Sequence, residues 1–360
     1  MRSPLFFAFR QAANQSFADT IQDVYRDGDL IWVHDYHLTM VPQMLRNVLP
    51  SAKIGFFLHL PFPSSEIYRI LPYREQILEG ILSSDIVGFQ TYDYARHFLS
   101  TVESLLDANC SPQGVEHNGH FANVTICPVG IDPDAVTQLC HQPDVMRLMQ
   151  RWSNQTRGLR GPLFFFFFFF FFFFFVFFSF ILYMTIFFAL FCLDATRGLV
   201  QKFLAVEEMF EMQPGLADKV NFVQVCFTGP HSRERILLEA QVQGFVARVN
   251  SKLGSIDEAG PVQFFLNVNP NELSALYAIA DVLVITPIRD GMDVVPFEYV
   301  VSRECRRLPA TVVLSEFAGC ARSIGGAVLI NPWNTTEFTE QMIGAINMEE
   351  NEREIRQAGC

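Results

Sequence analysis

The chain has 360 residues, which is enough for two domains of ordinary size. Its net charge of −12 argues against a nucleic-acid-binding protein, because such a protein neutralises phosphates with clustered lysines and arginines. No two of its 8 cysteines stand at C-x-x-C spacing, which argues against a zinc site or a redox motif and indicates a reducing compartment.

From the amino terminus to about residue 134, segments with helical spacing alternate with short apolar runs. The opening stretch is too short for a signal peptide and is interrupted by Arg10, so the expected location is the cytoplasm. Four runs are predicted as strands: DLIWVHD, KIGFFLHL, IVGFQT and NVTICPVGID. Because these runs are uniformly apolar, they predict a parallel sheet that helices cover on both faces.

The second half of the chain repeats this alternation, with predicted strands KVNFVQVCF, VQFFLNV, DVLVITP, ATVVLSE and AVLI between helices. The predicted fold class is therefore α/β, with two Rossmann-like, doubly wound parallel-sheet domains. In such folds a ligand lies at the carboxyl ends of the strands, and two facing domains place it in the cleft between them.

An uncharged segment from Gly161 to Leu193 separates the two halves and contains a long run of phenylalanines. A membrane span needs about 20 apolar residues, so a single span near 162–193 is one interpretation, with membrane association as its consequence. The other is a translated intron end, because phenylalanine, leucine, serine and proline all have pyrimidine-rich codons. In that interpretation true coding sequence resumes near Leu193, so Cys192 is also intron-derived.

The stretch VHDYH places His34, Asp35 and His37 directly after a predicted strand. A metal site is one interpretation, although the two histidines would splay apart in extended backbone and no third ligand has a recognisable spacing. A hydrogen-bonded, capped turn before a helix is the second. The third is a contact between Asp35 and a sugar or another hydroxylated ligand.

His59 follows the strand KIGFFL and precedes two prolines, Pro61 and Pro63. A lone histidine after an apolar strand is often a satisfied core residue. The prolines restrict the backbone as it leaves the strand, however, which favours a fixed position for His59 at the edge of the sheet. Both interpretations stay open.

The stretch VLVITPIRDGMDVVPFEYV predicts a buried strand, a turn at Asp290 and a helix that opens near Asp293. The N–H groups of Val294 and Val295 would then form an anion site for phosphate. Glu298 lies about one turn further along, where it could accept hydrogen bonds from a ribose diol. The alternative is an ordinary helix capped by an aspartate.

Two arginines stand at predicted loop-to-helix junctions of the second half, Arg197 in LDATRG and Arg233 in GPHSRERI. Either could clamp a diphosphate. Each on its own could equally be a solvated surface charge.

Together these stretches resemble the trehalose-6-phosphate synthase family of retaining glucosyltransferases, which have the GT-B architecture. The matching blocks run in the family's order: GDLIWVHDYHLTMVPQMLR, IGFFLHLPFPSSEIYRILPYREQILEGILSSDIVGFQT, PVGIDP, LDATRGLVQKFLAVE, ELSALYAIADVLVITPIRDGMDVVPFEYV, LSEFAG and NPWN. The resemblance implies transfer of glucose from UDP-glucose to glucose 6-phosphate with the anomeric configuration kept. It implies no metal and no other cofactor.

On the donor side, the resemblance implies that Asp290 contacts hydroxyls of the donor glucose. The main-chain N–H groups of Val294 and Val295 would hold the diphosphate together with Arg197, and Glu298 would hold the ribose.

On the acceptor side, the resemblance implies that Asp35 contacts the acceptor sugar and that Arg233 meets phosphate between donor and acceptor. His59 would lie beside the reacting centre. The catalytic set implied is thus His59, Asp290 and Arg233.

Several features depart from the family's pattern. The chain begins about a third of the way into it, has Cys192 and Arg197 where Arg and Lys are expected, and has Asp293 where Asn is expected. The phosphatase domain that follows in many eukaryotic members is not expected in this chain. These departures predict an impaired synthase. The predicted organisation is an incomplete acceptor domain at 1–143, an apolar insert at 144–191, a nucleotide-sugar domain at 192–345 and a tail at 346–360.

A second hypothesis is a catalytically silent, regulatory or sugar-phosphate-binding member of the same family. The expected partners are the two small-molecule substrates and, at the protein level, a second copy of the chain or other trehalose-pathway subunits. No nucleic acid is expected among them.

Overall fold

The computed structural model describes residues 4–157, 185–228, 232–254 and 260–360. The chain divides into two compact units, Met1–Gly130 and Ile131–Cys360. Each unit has one six-stranded sheet with helices packed on it, so the predicted α/β class is confirmed.

From residue 4 onwards, where the structure is described, the first unit has five α-helices and six strands. Its helices are α1 (Pro4–Val24), α2 (Val41–Val48), α3 (Ser65–Tyr68), α4 (Arg74–Leu82) and α5 (Tyr92–Leu106). Its strands are β1 (Leu30–His34), β2 (Lys53–Leu58), β3 (Ile86–Phe89), β4 (Asn109–Ser111), β5 (Gly114–His117) and β6 (His120–Ile126). The strand order is β1-β2-β3-β6-β5-β4.

In the first sheet the neighbouring strands β1, β2, β3 and β6 are parallel. The other edge is antiparallel, because β5 pairs in this way with both β6 and β4. The prediction of a wholly parallel sheet is wrong at this edge. The missed signal is the dipeptide Asn118–Gly119, whose φ angles of 52° and 76° are those of a tight hairpin turn. An Asn-Gly pair between two short runs indicates a hairpin rather than a crossover.

Aromatic side chains fill the core of the first unit. Phe89 and Phe98 are almost fully buried, and their ring centroids lie 5.1 Å apart. Phe62, which follows Pro61, packs edge-on against both rings. The chain that leaves β2 is thereby tied to the core, which limits how far His59 can move.

The second unit has eight helices and six strands within the described ranges. Its helices are α6 (Pro133–Cys140), α7 (Pro143–Arg157), α8 (Leu199–Met212), α9 (Arg233–Leu253), α10 (Pro270–Ile279), α11 (Val295–Cys305), α12 (Thr335–Asn347) and α13 (Glu350–Gln357). Its strands are β7 (Thr185–Cys192), β8 (Val220–Phe227), β9 (Val262–Leu266), β10 (Val282–Ile285), β11 (Val312–Ser315) and β12 (Val328–Ile330). All of its strand pairs are parallel, in the order β12-β11-β10-β7-β8-β9.

The segment 144–191, predicted as an insert, belongs to the second unit at both of its ends. Helix α7 buries Val145, Met149 and Trp152 in the core of the second unit, and β7 lies in the middle of its sheet. The boundary of β7 was missed because the strand follows an uninterrupted apolar run. Helix α7 contains no phenylalanine, and its buried residues Val145, Met149 and Trp152 have a helical spacing that was available in the sequence. The remainder of the insert, residues 158–184, lies outside the described residues.

The predicted tail at 346–360 belongs to the second unit as well. Helix α13 lies within this stretch, and the Arg353 guanidinium donates to the carbonyls of Ala345, Ile346 and Met348. The backbone N–H of Gly326 also donates to the carbonyl of Gly359. The boundary between the two units lies at Gly130 rather than at 143.

No helix in the described ranges is both long enough and apolar enough to span a membrane. The apparent span near 162–193 falls mostly on residues that are not described. Its last part, from Thr185 to Cys192, is the strand β7.

Gly198 is required where β7 leads into α8. Its φ is 64°, and a Cβ at this position would lie 2.0 Å from the carbonyl oxygen of Thr286. Gly119 has a similar φ of 76° but has no atom within 4 Å of its Cβ position. A substitution at Gly198 therefore meets both backbone strain and steric overlap, whereas one at Gly119 meets backbone strain alone.

We expect Gly198→Ala to lower the free energy of unfolding by more than about 3 kcal/mol, because the strain of roughly 1–2 kcal/mol is joined by the clash. Gly119→Ala should lower it by only the strain. Chemical denaturation of the full chain measures both values. An equal decrease in the free energy of unfolding in the two variants would show that the backbone at Thr286 moves away from the new Cβ at no energetic cost.

Candidate functional site

In the second unit, the candidate residues follow three neighbouring strands. Arg197 follows β7, Arg233 begins the helix after β8, and Asp290 follows β10. These strands are adjacent in the order β10-β7-β8 and run parallel, so their carboxyl ends share one edge of the sheet.

An ion pair links two of these residues. Arg197 Nη1 lies 2.9 Å from Asp290 Oδ1 and 3.7 Å from Asp293 Oδ2. The arginine side chain is 28% exposed, whereas the two carboxylates are 9% and 8% exposed. One guanidinium therefore compensates two buried carboxylates.

Asp293 also bonds to the start of the helix that follows it. Its Oδ1 accepts a hydrogen bond from the N–H of Val295 at 3.0 Å, and α11 begins at that residue. Pro296 lies in the first turn, where its missing N–H removes no helical bond. The N–H of Val295, which the sequence predicts as a diphosphate donor, is bonded here to the chain's own carboxylate.

Burial controls the protonation of these acids. It raises the pKa of Asp290 against the opposing effect of Arg197. Burial, followed by the charge of Asp290, raises the pKa of Asp293 to about 6. Burial likewise raises the pKa of Glu298, which stands in the first turn of α11 and interacts with Tyr277 of α10. The site therefore holds acids that are poorly hydrated and incompletely neutralised.

Lys202, which was not among the predicted site residues, interacts electrostatically with Asp293. It is fully buried in the first turns of α8, where its Nζ donates to Gln224 Oε1 at 3.0 Å. Burial lowers the pKa of Lys202 to about 7, against the opposing effects of Cys226 and Asp293. The signal was available: Lys202 occupies a core-facing position three residues after Leu199, where a helix normally has an apolar residue.

Arg233 is exposed at the first residue of α9, after the N-cap Ser232. It lies on the predicted edge of the sheet, but its surroundings include residues 229–231, which are not described. Its predicted contact with phosphate stays a prediction.

In the first unit, three polar side chains stand at the ends of neighbouring parallel strands. His34 ends β1, His59 follows β2 and Gln90 follows β3. His59 Nε2 lies 3.1 Å from His34 Nδ1, and His59 Nδ1 lies 3.4 Å from Gln90 Nε2. His59 is half-buried and sits at the sheet edge, as one of its two interpretations expects. The apolar pattern of KIGFFL predicts correctly that the strand ends just before His59. It does not indicate that Gln90 contacts His59.

Asp35 has a strained backbone and an unsatisfied side chain. Its φ of 68° and ψ of 170° lie in a region that residues with a Cβ rarely adopt. It precedes a short helix, and the N–H of Leu38 donates to its carbonyl at 3.2 Å, so the turn is hydrogen-bonded. Its side chain makes no capping hydrogen bond, so the predicted cap is wrong. Its Oδ1 is buried without a hydrogen-bond partner among the described residues. A buried carboxylate oxygen with no partner is an acceptor for a ligand donor such as a hydroxyl.

Comparisons with known proteins identify the fold and the family. The α,α-trehalose-phosphate synthase (UDP-forming) of Schizosaccharomyces pombe is 41% identical over 96% of this chain and 63% of its own length. The 56 kDa subunit of the Saccharomyces cerevisiae synthase is 38% identical over 95% of this chain and 65% of its own length. The chain thus spans less than two thirds of these relatives.

Among solved structures, an α,α-trehalose-phosphate synthase (UDP-forming) from Burkholderia xenovorans in complex with glucose-6-phosphate has a TM-score of 0.87 at 27% identity. The likeness covers 100% of this chain and 75% of that one, and it confirms the predicted GT-B fold class. The sequence family described as Glycosyltransferase family 20 matches residues 4–159 and 183–360. The chain therefore belongs to glycosyltransferase family 20.

Proposed function

We propose that the chain transfers glucose from UDP-glucose to glucose 6-phosphate, releasing UDP and keeping the anomeric configuration. The observation that carries this proposal is the group formed by Arg197, Asp290 and the start of α11 at one edge of the second sheet. A cation, a buried carboxylate and helix N–H groups are what a sugar diphosphate requires. The names of the relatives support the same reaction.

On the donor side, Arg197 and the N–H groups of Val294 and Val295 bind the diphosphate. Asp290 then exchanges its arginine for hydroxyls of the donor glucose, and Glu298 accepts from the ribose diol. Because the diphosphate gains negative charge as the glycosidic bond breaks, fixed donors and a cation stabilise the transition state more than the bound substrate.

On the acceptor side, Asp35 accepts from a hydroxyl of glucose 6-phosphate, since its Oδ1 has no protein partner among the described residues. Arg233 meets phosphate between donor and acceptor, and His59 stands beside the reacting centre. The leaving phosphate itself assists the acceptor hydroxyl, so the mechanism uses no side-chain nucleophile, no metal ion and no other cofactor.

The same proposal extends to location and partners. It places the protein in the cytoplasm, where both substrates are made. It includes assembly with a second copy or with other trehalose-pathway subunits, which the name of the Saccharomyces cerevisiae relative as a subunit supports.

A second candidate function is that of a silent, sugar-phosphate-binding member that regulates. The geometry around Asp293 favours it, because this carboxylate occupies the Val295 N–H and lies 3.7 Å from Arg197. It thus stands where a phosphate oxygen would otherwise be placed. The two candidates differ in turnover and share the binding of a phosphorylated ligand.

The first test mixes the full chain with UDP-glucose and glucose 6-phosphate and measures UDP release and trehalose 6-phosphate. We expect Arg197→Ala to weaken UDP binding roughly 10- to 100-fold, because a charge-assisted hydrogen bond contributes about 1.5–3 kcal/mol. Arg197→Lys, which keeps the charge, should stay within a few-fold of the parent. Arg306→Ala, at the opposite end of α11, is the exposed control and should bind UDP normally.

Titration calorimetry measures these affinities, and thermal melting checks that each variant is folded. UDP binding without any turnover would favour the regulatory candidate. A folded chain that binds no UDP would remove the glucosyltransferase proposal.

The second test concerns the charge of Asp293. Asn keeps the Oδ1 acceptor for the Val295 N–H, so Asp293→Asn removes only the charge. Two like charges a few ångströms apart oppose each other by more than about 1.4 kcal/mol at an effective dielectric near 20, so UDP affinity at pH 7.5 should rise at least about tenfold.

The gain should shrink as the pH falls through about 6, where Asp293 itself becomes protonated. UDP titrations of the parent and the variant at pH 7.5, 6.5 and 5.5 measure it. A constant ratio of the two affinities across this range would contradict an electrostatic origin.

A further inference from the structure

The orientation of the Gln90 amide in the first unit is fixed by the backbone. The N–H of Val129 lies 2.8 Å from Gln90 Oε1, and a backbone N–H can only donate. The oxygen of the amide therefore faces Val129, and its NH2 group faces His59. Gln90 is 3% exposed, so this contact lies inside the protein.

The amide in turn fixes a proton on His59. An NH2 group has no acceptor capacity, so His59 Nδ1, at 3.4 Å, is the acceptor and has no proton. The single N–H of the neutral ring is then on Nε2, which donates to His34 Nδ1 at 3.1 Å. One backbone N–H thus orders a chain of three hydrogen bonds that runs outward along the strand ends.

We propose that Gln90 is a positioning residue that holds His59 in its Nε2–H tautomer, so that the ring presents a donor at the edge of the sheet. Which of two nitrogens of a histidine has the proton is set by the hydrogen bond at the other one. His34 accepts this N–H in the structure, and a sugar hydroxyl or a phosphate oxygen that reached Nε2 would replace His34 as the acceptor.

The consequence for catalysis rests on the proposed function, whereas the tautomer rests on the contacts alone. A ring N–H can stabilise an oxygen that gains negative charge, and an unprotonated ring nitrogen cannot. Gln90 would thus act on the reaction through His59, without contact with the substrate.

The decisive variant is Gln90→Glu. A glutamate side chain still accepts from Val129, but it offers His59 an acceptor in place of the NH2 group, so the proton should move to Nδ1. His34→Phe leaves Gln90 in place, so His59 should keep its Nε2–H. Gln76→Glu introduces the same charge at an exposed position of α4 and should change nothing.

The full chain with 15N-labelled histidine is used for NMR, since long-range proton–nitrogen spectra distinguish the two tautomers. The His59 signals are assigned by their loss in His59→Asn. We expect Nε2–H in the parent, His34→Phe and Gln76→Glu, and Nδ1–H in Gln90→Glu. An Nδ1–H tautomer in the parent, an unchanged ring in Gln90→Glu, or a shift in His34→Phe would each overturn the proposal.

Steady-state kinetics then tests the catalytic part. Gln90→Glu should lower kcat by roughly 100-fold, the scale of losing one fixed donor at a reacting centre, with KM for UDP-glucose within threefold of the parent. An unchanged kcat in a variant whose tautomer has moved would overturn the role in catalysis. A parent chain with the Nε2–H tautomer but no turnover would instead overturn the proposed function and leave the tautomer standing.

Discussion

Strand β7 holds the second sheet together. It pairs with β8 along its whole length and with β10 on its other side. It thus joins the three strands β10, β11 and β12 to the two strands β8 and β9. Buried backbone N–H and C=O groups need partners, and a sheet that lacked β7 would leave two interior edges unpaired. Arg197 follows this strand closely, so the position of the cation that pairs with Asp290 depends first on the backbone pairing of β7. The strand at the end of the apolar segment thus supports both the core of the second unit and the position of Arg197.

The chemistry of the second unit depends on charges that are taken out of water. Asp290, Asp293 and Lys202 are each less than a tenth exposed, and Arg197 compensates the two acids only in part. A diphosphate would compete with Asp293 for Arg197 and for the N–H of Val295. In the proposed function, the affinity for a diphosphate would therefore depend more on how readily Asp293 releases Arg197 and the Val295 N–H than on the number of donors.

Much of the fold could be predicted because parallel strands and amphipathic helices leave strong periodic patterns, as in KVNFVQVCF and RERILLEAQVQGFVARVNSKLG. The strand ends, and with them Arg197, His59 and Asp290, followed from the same patterns. Contacts that depend on side-chain direction could not be predicted: the pairing of Arg197 with Asp290 and the contact between Gln90 and His59 both need coordinates, as does the strain at Asp35. β7 was missed for a different reason, since a strand within a run of phenylalanines has no boundary that a pattern can mark.

The buried lysine and the buried aspartate also give the second unit an unusual response to pH. Asp293 has its pKa raised to about 6, above the unfolded value, so folding takes up a proton and stability falls as the pH rises from about 4 to 6. Lys202 has its pKa lowered to about 7, so folding releases a proton and stability rises as the pH increases from about 7 towards 10. The contributions of these two groups pass through a minimum between about pH 6 and 7. As far as these two groups decide it, the second unit is thus least stable between about pH 6 and 7, where Asp293 is becoming ionised and Lys202 is losing its proton inside the protein.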